Sequence, residues 1–156
     1  MKQIDIGLMK QIDIGNEEEM LAFGGRIANE LHGGEFIATF GDLGAGKTTL
    51  VRGLAGALGI DNISSPTFNI VKHHSGRLPL EHFDCYRLSD YEELLAIGFN
   101  DYLANESIIV MEWCERVQEA LPCERLEIHI EGSGSDTRIV KVKAFGERYE
   151  RIMEVL

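Results

Sequence analysis

The stretch GDLGAGKTTL, residues 41–50, has the residue types and spacing of a phosphate-binding loop. Gly41, Gly46, Lys47 and Thr48 match the pattern GxxxxGK[ST]. Glycines let consecutive backbone N–H groups turn toward phosphate oxygens, lysine reaches the β and γ phosphates, and the threonine hydroxyl can bind Mg²⁺. The pattern therefore predicts a nucleoside triphosphate site with a magnesium ion.

We expect the nucleotide to contact the loop and the first helical turn, at Gly41, Leu43, Gly44, Ala45, Gly46, Lys47, Thr48 and Thr49. A guanine-specific GTPase would also carry an [NT]KxD signature, which this chain lacks. ATP is therefore the expected nucleotide.

Two acidic residues compete for the metal ion. Glu112 ends the apolar run of SIIVMEW, residues 107–113, and a buried strand should hold its carboxylate rigidly. Asp84 lies among polar neighbours in LEHFDCYRL, residues 80–88. Mg²⁺ prefers one or two carboxylates beside a hydroxyl and waters. We favour Glu112 and Thr48 as metal ligands, with Asp84 orienting water or sharing the ion. The alternative for either acid is an exposed carboxylate at a strand end.

The elements around these residues alternate between strands and helices. Asn16 can cap a helix that begins with Glu17 and stops at the Gly33–Gly34 pair. Further helices are predicted at 47–58, 91–98 and 147–156, and strands at 35–40, 69–74, 78–85 and 107–112, with a late hairpin from 125–132 and 137–145. This order predicts an α/β P-loop fold, a mixed parallel and antiparallel sheet flanked by helices.

The first residues contain a duplication. MKQIDIG, residues 1–7, recurs as residues 9–15 with Leu8 between the copies. A seven-residue copy is far shorter than a structural repeat. We interpret 1–8 as a duplicated start, with Met9 as the natural beginning, and expect a single domain over 9–156.

Composition and charge exclude several classes of protein. The 156 residues are 44% hydrophobic and 26% charged, which is ordinary for a globular domain. No apolar run is long enough to span a bilayer, and the three cysteines lack CxxC spacing, so we expect a cytoplasmic protein with reduced thiols. The net charge of −11 is concentrated in 81–127, where 12 acidic residues oppose three basic ones. Such a surface disfavours autonomous nucleic-acid binding, and it could either steer a basic protein partner or serve only solubility.

Five ordered motifs carry a resemblance to a known family. They are GDLGAGKTTLVRGLA, SPTFNIV, GRLPLEHFDCYRL, EELLAIGFNDYL and MEWCERV. In order and spacing they resemble the bacterial TsaE family, a small P-loop ATPase needed for threonylcarbamoyladenosine in tRNA. The resemblance covers nearly the whole chain from about residue 16.

The resemblance implies a role for individual residues. It implies that Glu112 is the second protein ligand of the metal after Thr48, and that Asp84 occupies the catalytic switch position. It places Thr67 in the first switch loop as a further catalytic residue beside Lys47. It also places Asn16, Glu17 and Arg138 near the nucleotide, the first two at the adenine.

The resemblance further implies partners. In that family the ATPase binds the proteins TsaD and TsaB, which transfer the threonylcarbamoyl group to the adenosine beside the anticodon. ATP hydrolysis would reset that pair between turnovers, and tRNA would be met only through the complex.

Two other functions remain open. A small-molecule kinase of this size would need lid arginines that clamp the transferred phosphate, and between Thr48 and Glu112 only Arg52, Arg77 and Arg87 occur, without clustering. A non-hydrolysing, nucleotide-dependent binding module would have no need of both Asp84 and Glu112. Phosphate release with and without partners would separate the three.

Overall fold

The computed structural model describes residues 8–42, 44–64, 66, 69–132 and 137–156. Within these ranges the chain forms one seven-stranded sheet with helices packed on it. The strands are β1 (Leu8–Ile14), β2 (Phe36–Phe40), β3 (Val71–His74), β4 (Leu80–Asp84), β5 (Ile108–Glu112), β6 (Arg125–Glu131) and β7 (Arg138–Phe145). The helices are α1 (Glu17–Asn29), α2 (Lys47–Ala57), α3 (Tyr91–Ala96), α4 (Phe99–Leu103) and α5 (Glu147–Glu154), with 3₁₀ turns at Cys114–Arg116 and Gln118–Ala120.

The sheet has a parallel centre and antiparallel edges, which confirms the predicted fold class. Its strand order is β1-β7-β6-β2-β5-β4-β3. Strand β2 runs parallel to β5 and β6, and β5 runs parallel to β4. The hairpin partner β7 is antiparallel to both β6 and β1, and β3 is antiparallel to β4. The carboxyl ends of the parallel strands β2, β4 and β5 therefore lie side by side, at the end of the sheet where ligands bind in open α/β folds.

The central strands are apolar because both faces of the sheet are covered. Every residue of β2 and of β5 is buried. One face packs against α1, α2 and α5, in a core that includes Phe23, Leu50 and Ile152. The other face packs against α3, α4 and the 3₁₀ turns, around Phe83 and Phe99. A continuous apolar strand is what a doubly covered parallel sheet requires.

Helices α1 and α2 touch through their backbones. A Cβ atom at Gly53 would lie 2.2 Å from the Leu21 carbonyl oxygen, and one at Gly24 would lie 2.3 Å from that of Leu50. Only glycine fits at either position. This contact fixes α2, whose first turn belongs to the predicted phosphate site, against the first helix of the chain.

The first strand was not predicted. Strand β1 pairs with β7 along its whole length, with Ile12 opposite Val140, and it contains most of the second MKQIDIG copy. It begins at Leu8, inside the segment set aside as a duplicated start, and residues 1–7 lie outside the described ranges. The apolar pattern of this strand is weak in the sequence because only Ile12 and Ile14 face the core. Leu8 and Met9 are exposed.

Several helical boundaries also differ from expectation, and two of them matter most. Helix α1 ends at Asn29, before the glycine pair, and Leu31 is buried beyond the helix. The helix predicted at 91–98 ends at Ala96, and a separate α4 begins at Phe99 after Gly98, whose φ of 86° interrupts the helical path.

In the part of the chain that is described, no helix is long and apolar enough to cross a membrane.

Candidate nucleotide-binding site

The loop between β2 and α2 has the backbone of a phosphate cradle. Gly41, Gly44 and Gly46 have φ angles of 153°, 81° and 114°, which side-chain-bearing residues rarely adopt. A Cβ atom at Gly41 would lie 2.8 Å from the Ile130 carbonyl oxygen. Gly46 caps α2 without a side-chain hydrogen bond, so the N–H groups of the first turn face the loop opening with the positive end of the helix dipole.

The Lys47 ammonium lies inside this loop. Its Nζ donates hydrogen bonds to the carbonyl oxygens of Gly41 and, at 3.1 Å, of Asp42. It also lies 3.8 Å from the centroid of the Trp113 ring. The side chain is therefore held across the loop opening, where the sequence predicts the β and γ phosphates.

Burial lowers the pKa of Lys47 from its usual 10.5. Carboxylates oppose this shift, with Glu115 acting most strongly, then Glu112 and Asp84. A cation that has already lost part of its hydration gains more from a phosphate than an exposed lysine would.

Glu112 joins the loop helix to the neighbouring strand. The Thr48 hydroxyl donates to Oε1 of Glu112 at 3.2 Å, and Nε2 of His82 lies 2.6 Å from Oε2. Glu112 is 2% exposed and the His82 side chain is fully buried. The hydroxyl and carboxylate predicted to hold the metal are thus in direct contact.

Sequence reasoning missed the contribution of His82. In the sequence His82 is one of the polar neighbours of Asp84, whereas in the structure its ring is directed at Glu112. Because a carboxylate only accepts hydrogen bonds, we assign the proton to Nε2, which donates; Nδ1 has no hydrogen-bond partner among the described residues. The available signal was the alternation of β4, which puts His82 and Asp84 on one face, next to the end of β5.

Asp84 lies beside Glu112 but is held differently. The two residues are paired in the β4–β5 register, and Oδ1 of Asp84 accepts the backbone N–H of Tyr86 at 3.0 Å. Partial burial raises the pKa of Asp84, and the nearby Glu112 charge adds to the rise, although the Tyr86 hydrogen bond opposes it. Asp84 is therefore a stronger base than an exposed aspartate.

Two cavities meet at the loop. The first, of about 300 Å³, is lined by Gly44, Ala45, Gly46, Lys47, Thr48, Thr49, Asp84, Tyr86, Glu112 and Trp113. The second, of about 200 Å³, is lined by Asn16, Glu17, Met20, Gly44, Ala45, Gly46, Thr49 and Arg138. The four residues common to both are loop and first-turn residues, so the two cavities adjoin. The structure thus brings Lys47, Thr48 and Glu112 into the first cavity, and it places Asn16, Glu17 and Arg138 in the second.

The three residues on that side already have contacts of their own. Asn16 caps α1 by accepting the Glu19 N–H at 2.9 Å. Glu17 is exposed and lies 3.7 Å from Arg52. Arg138 donates to loop carbonyls. Two other predicted residues, Leu43 and Thr67, lie outside the described ranges.

The residues around Glu112 suit a magnesium ion that is bound partly by the protein and partly by phosphate oxygens. Among the described residues, no group of three or more His, Cys, Asp or Glu side chains could hold a metal ion alone. Thr48 and Glu112 would supply one hydroxyl and one carboxylate to such an ion, and its other ligands would be phosphate oxygens and water.

Comparison with known proteins identifies the family. The family model for Threonylcarbamoyl adenosine biosynthesis protein TsaE matches residues 14–140. The chain belongs to the TsaE family. The matched range contains Lys47, Thr48, Asp84, His82 and Glu112.

Curated TsaE-family relatives agree over most of the chain. The Bacillus subtilis tRNA threonylcarbamoyladenosine biosynthesis protein TsaE is 42% identical over 143 residues, which is 90% of this chain and 89% of the relative. The Haemophilus influenzae protein of the same name is 40% identical over 126 residues, covering 76% and 79%. A crystal structure of Bacillus subtilis YdiB superposes with a TM-score of 0.80 at 35% identity, covering 96% of this chain and 94% of that one. The family model and the named relatives thus show the TsaE family, and the likeness to YdiB shows the same fold.

Proposed function

We propose that this TsaE-family protein is a cytoplasmic accessory ATPase of threonylcarbamoyladenosine formation in tRNA, which binds ATP with Mg²⁺ and hydrolyses it slowly. The observation that supports this most is the convergence of Lys47, Thr48 and Glu112 at the N-terminus of α2, in one cavity with Asp84. The curated relatives, named for threonylcarbamoyladenosine biosynthesis, support the pathway.

The residues present fit the proposed cofactor. The loop backbone and Lys47 would hold the phosphates, and Thr48 with Glu112 would hold the magnesium ion, which would neutralise charge on the phosphates. His82 keeps the Glu112 carboxylate oriented through its 2.6 Å contact. Asn16 and Glu17 would lie near the adenine, and Arg138 would lie near the nucleotide.

Asp84 is the proposed residue for activating water. Its carboxylate lies beside Glu112 at the edge of the cavity, and burial raises its pKa, which suits a group that accepts or orients a proton. Thr67 of the SPTF segment is proposed as a second catalytic residue on the family resemblance alone.

The protein is proposed to act with TsaD and TsaB. In the described part of the chain, no arginine lines the cavity that contains Lys47 and Asp84. P-loop enzymes without such a group hydrolyse slowly, and a partner that supplies one or orders the site raises the rate by about 10³–10⁵-fold. The exposed Tyr86 and the acidic 81–127 segment adjoin this cavity and offer a surface for a basic partner.

The test combines binding and turnover. ATP–Mg²⁺ affinity is measured by calorimetry for the natural sequence and for Lys47→Ala, and phosphate release is measured with and without the TsaB–TsaD pair at two salt concentrations. We expect Lys47→Ala to lose ATP affinity. Turnover should be very slow for the protein alone, rise with the pair, and rise less at high salt because screening weakens the association.

Each part of the proposal has its own contrary outcome. Unchanged ATP affinity in Lys47→Ala would reject the phosphate site. Fast hydrolysis by the lone protein that is unaffected by the pair would reject partner control and favour a small-molecule kinase.

A further inference from the structure

Arg138 forms an unusual link between the last strand of the sheet and the phosphate loop. Its Nε donates to the Ala45 carbonyl oxygen at 2.9 Å, and its Nη2 donates to that of Gly44 at 3.2 Å. Nη1 donates to the Thr137 carbonyl oxygen at 2.8 Å. The guanidinium therefore donates to two successive loop carbonyls, although Arg138 lies 93 residues after Ala45 in the chain.

The phosphate loop needs such donors. When a turn directs its N–H groups toward a ligand, its carbonyl oxygens face the other way, and each buried carbonyl must find a donor. Ala45 is 1% exposed, so water cannot readily serve its carbonyl. At the opposite end of the loop, Lys47 donates to the carbonyls of Gly41 and Asp42. The two ends of the loop are thus held by two cationic side chains.

The arginine has a rigid anchor. Arg138 is the first residue of β7, where its backbone is paired with Ile14 of β1. An arginine is suited to this position because its planar fork presents several N–H groups at fixed angles, whereas lysine presents a single ammonium.

We propose that Arg138 is a positioning residue of the phosphate loop, which shapes the anion site by holding the Gly44 and Ala45 carbonyls. This inference rests on the proposed ATP-binding function and refines the expectation that Arg138 lies near the nucleotide. Arg138 then acts on the phosphates through the loop backbone, independently of the adenine and ribose.

The distinguishing ligand is tripolyphosphate with Mg²⁺, which has the phosphates of ATP without its base or sugar. Its dissociation constant and that of ATP–Mg²⁺ are measured by calorimetry for the natural sequence, Arg138→Gln and Arg138→Lys. Lys141→Gln serves as the matched control, because Lys141 is on the same strand, carries the same charge and pairs with Glu131 at the surface. Thermal melting confirms that each variant is folded.

We expect each Arg138 variant to bind ATP and tripolyphosphate more weakly, and by the same factor for the two ligands. The expected factor is about tenfold, which corresponds to the loss of one charge-assisted hydrogen bond. The control should bind both normally. In the ligand-free protein, the amide protons of Ala45 and Gly46 should exchange faster in both Arg138 variants than in the control.

Three results would overturn the proposal. A loss for ATP with no loss for tripolyphosphate would place Arg138 on the base or sugar. Retained affinity in Arg138→Lys would show that only its charge matters, and unchanged affinity and exchange in both variants would remove the role altogether. If the natural sequence binds neither ligand, the proposed ATP function fails, and amide exchange alone then decides whether Arg138 orders the loop.

Discussion

The ends of β4 and β5 present two carboxylates that are neighbours in register and yet are held in contrasting ways. Glu112, at the end of β5, is 2% exposed and has both oxygens in contact, one with Thr48 and one with His82. Asp84, at the end of β4, is only partly buried, and its Oδ1 accepts the backbone N–H of Tyr86 in the turn that follows.

The contrast follows from the position of each strand in the sheet. Strand β5 lies between β2 and β4, and all of its residues are buried, so its last side chain is enclosed on both sides. Strand β4 is next to the edge strand β3, and the turn after it exposes 45% of Tyr86. Glu112, whose two carboxylate oxygens are both held by neighbours, suits a metal ligand. Asp84, which is only partly buried, suits a group that orients water. The following predictions test that division.

The largest effect is expected for Asp84→Asn. The amide keeps the shape and the acceptor for the Tyr86 N–H but cannot take a proton, so phosphate release in the presence of TsaB–TsaD should fall about 10²–10³-fold. ATP–Mg²⁺ affinity should change little, because the group acts in the transition state. Asp101→Asn, an exposed acid of the same segment, is the control. An equal loss of affinity and turnover in Asp84→Asn would assign Asp84 to binding.

Glu112→Gln should act on the metal. Removing one charged ligand should weaken Mg²⁺ binding to the ATP-bound protein about 100-fold, whereas ATP affinity without Mg²⁺ should be retained. Titration of Mg²⁺ at saturating ATP measures this, with the exposed Glu119→Gln as the control. Normal Mg²⁺ dependence would show that Glu112 is structural and would reopen Asp84 as the ligand.

His82→Leu should lower the Mg²⁺ affinity as Glu112→Gln does, but by a smaller factor. Without the Nε2 donor, the buried Glu112 carboxylate loses its orientation, and Mg²⁺ affinity should fall about tenfold. His82→Gln can still donate from its amide and should recover part of the loss. If the two variants lose affinity equally while both remain folded, the hydrogen bond has no role in positioning Glu112.

The sequence predicts the turn before α2 and the strand that ends at Glu112 well because their signals are local. A glycine-rich turn after an apolar strand has few alternative structures, and the run of four aliphatic residues before Glu112 leaves little choice but a buried strand. The late hairpin is equally clear, since its two strands alternate apolar and polar residues around a short polar connection.

Long-range pairing could not be predicted in the same way. Strand β1 depends on β7, about 130 residues away, and its own hydrophobic pattern is short. The orientation of His82 toward Glu112 requires the β4–β5 register, and the Arg138 contacts require the position of β7 beside the loop. In each case the residue was visible in the sequence, but its partner was set by the sheet order.

The smallest expected effect concerns the stability of the ligand-free protein and the charge of Asp84. Burial raises the pKa of Asp84 above its usual 3.8, so the folded state binds a proton more readily than the unfolded state. Stability from this group therefore falls as pH rises through the interval between 3.8 and the raised value, and the cost remains at neutral pH. Asp84→Asn removes this cost and should raise the melting temperature at neutral pH. Melting curves without nucleotide or metal, at about pH 7.5 and about pH 4, should show the gain shrinking at the lower pH, where Asp84 itself becomes protonated. A gain of the same size at both pH values, or a loss at neutral pH, would mean that the Asp84 carboxylate is well accommodated in the fold and that the contrast with Glu112 is one of exposure alone.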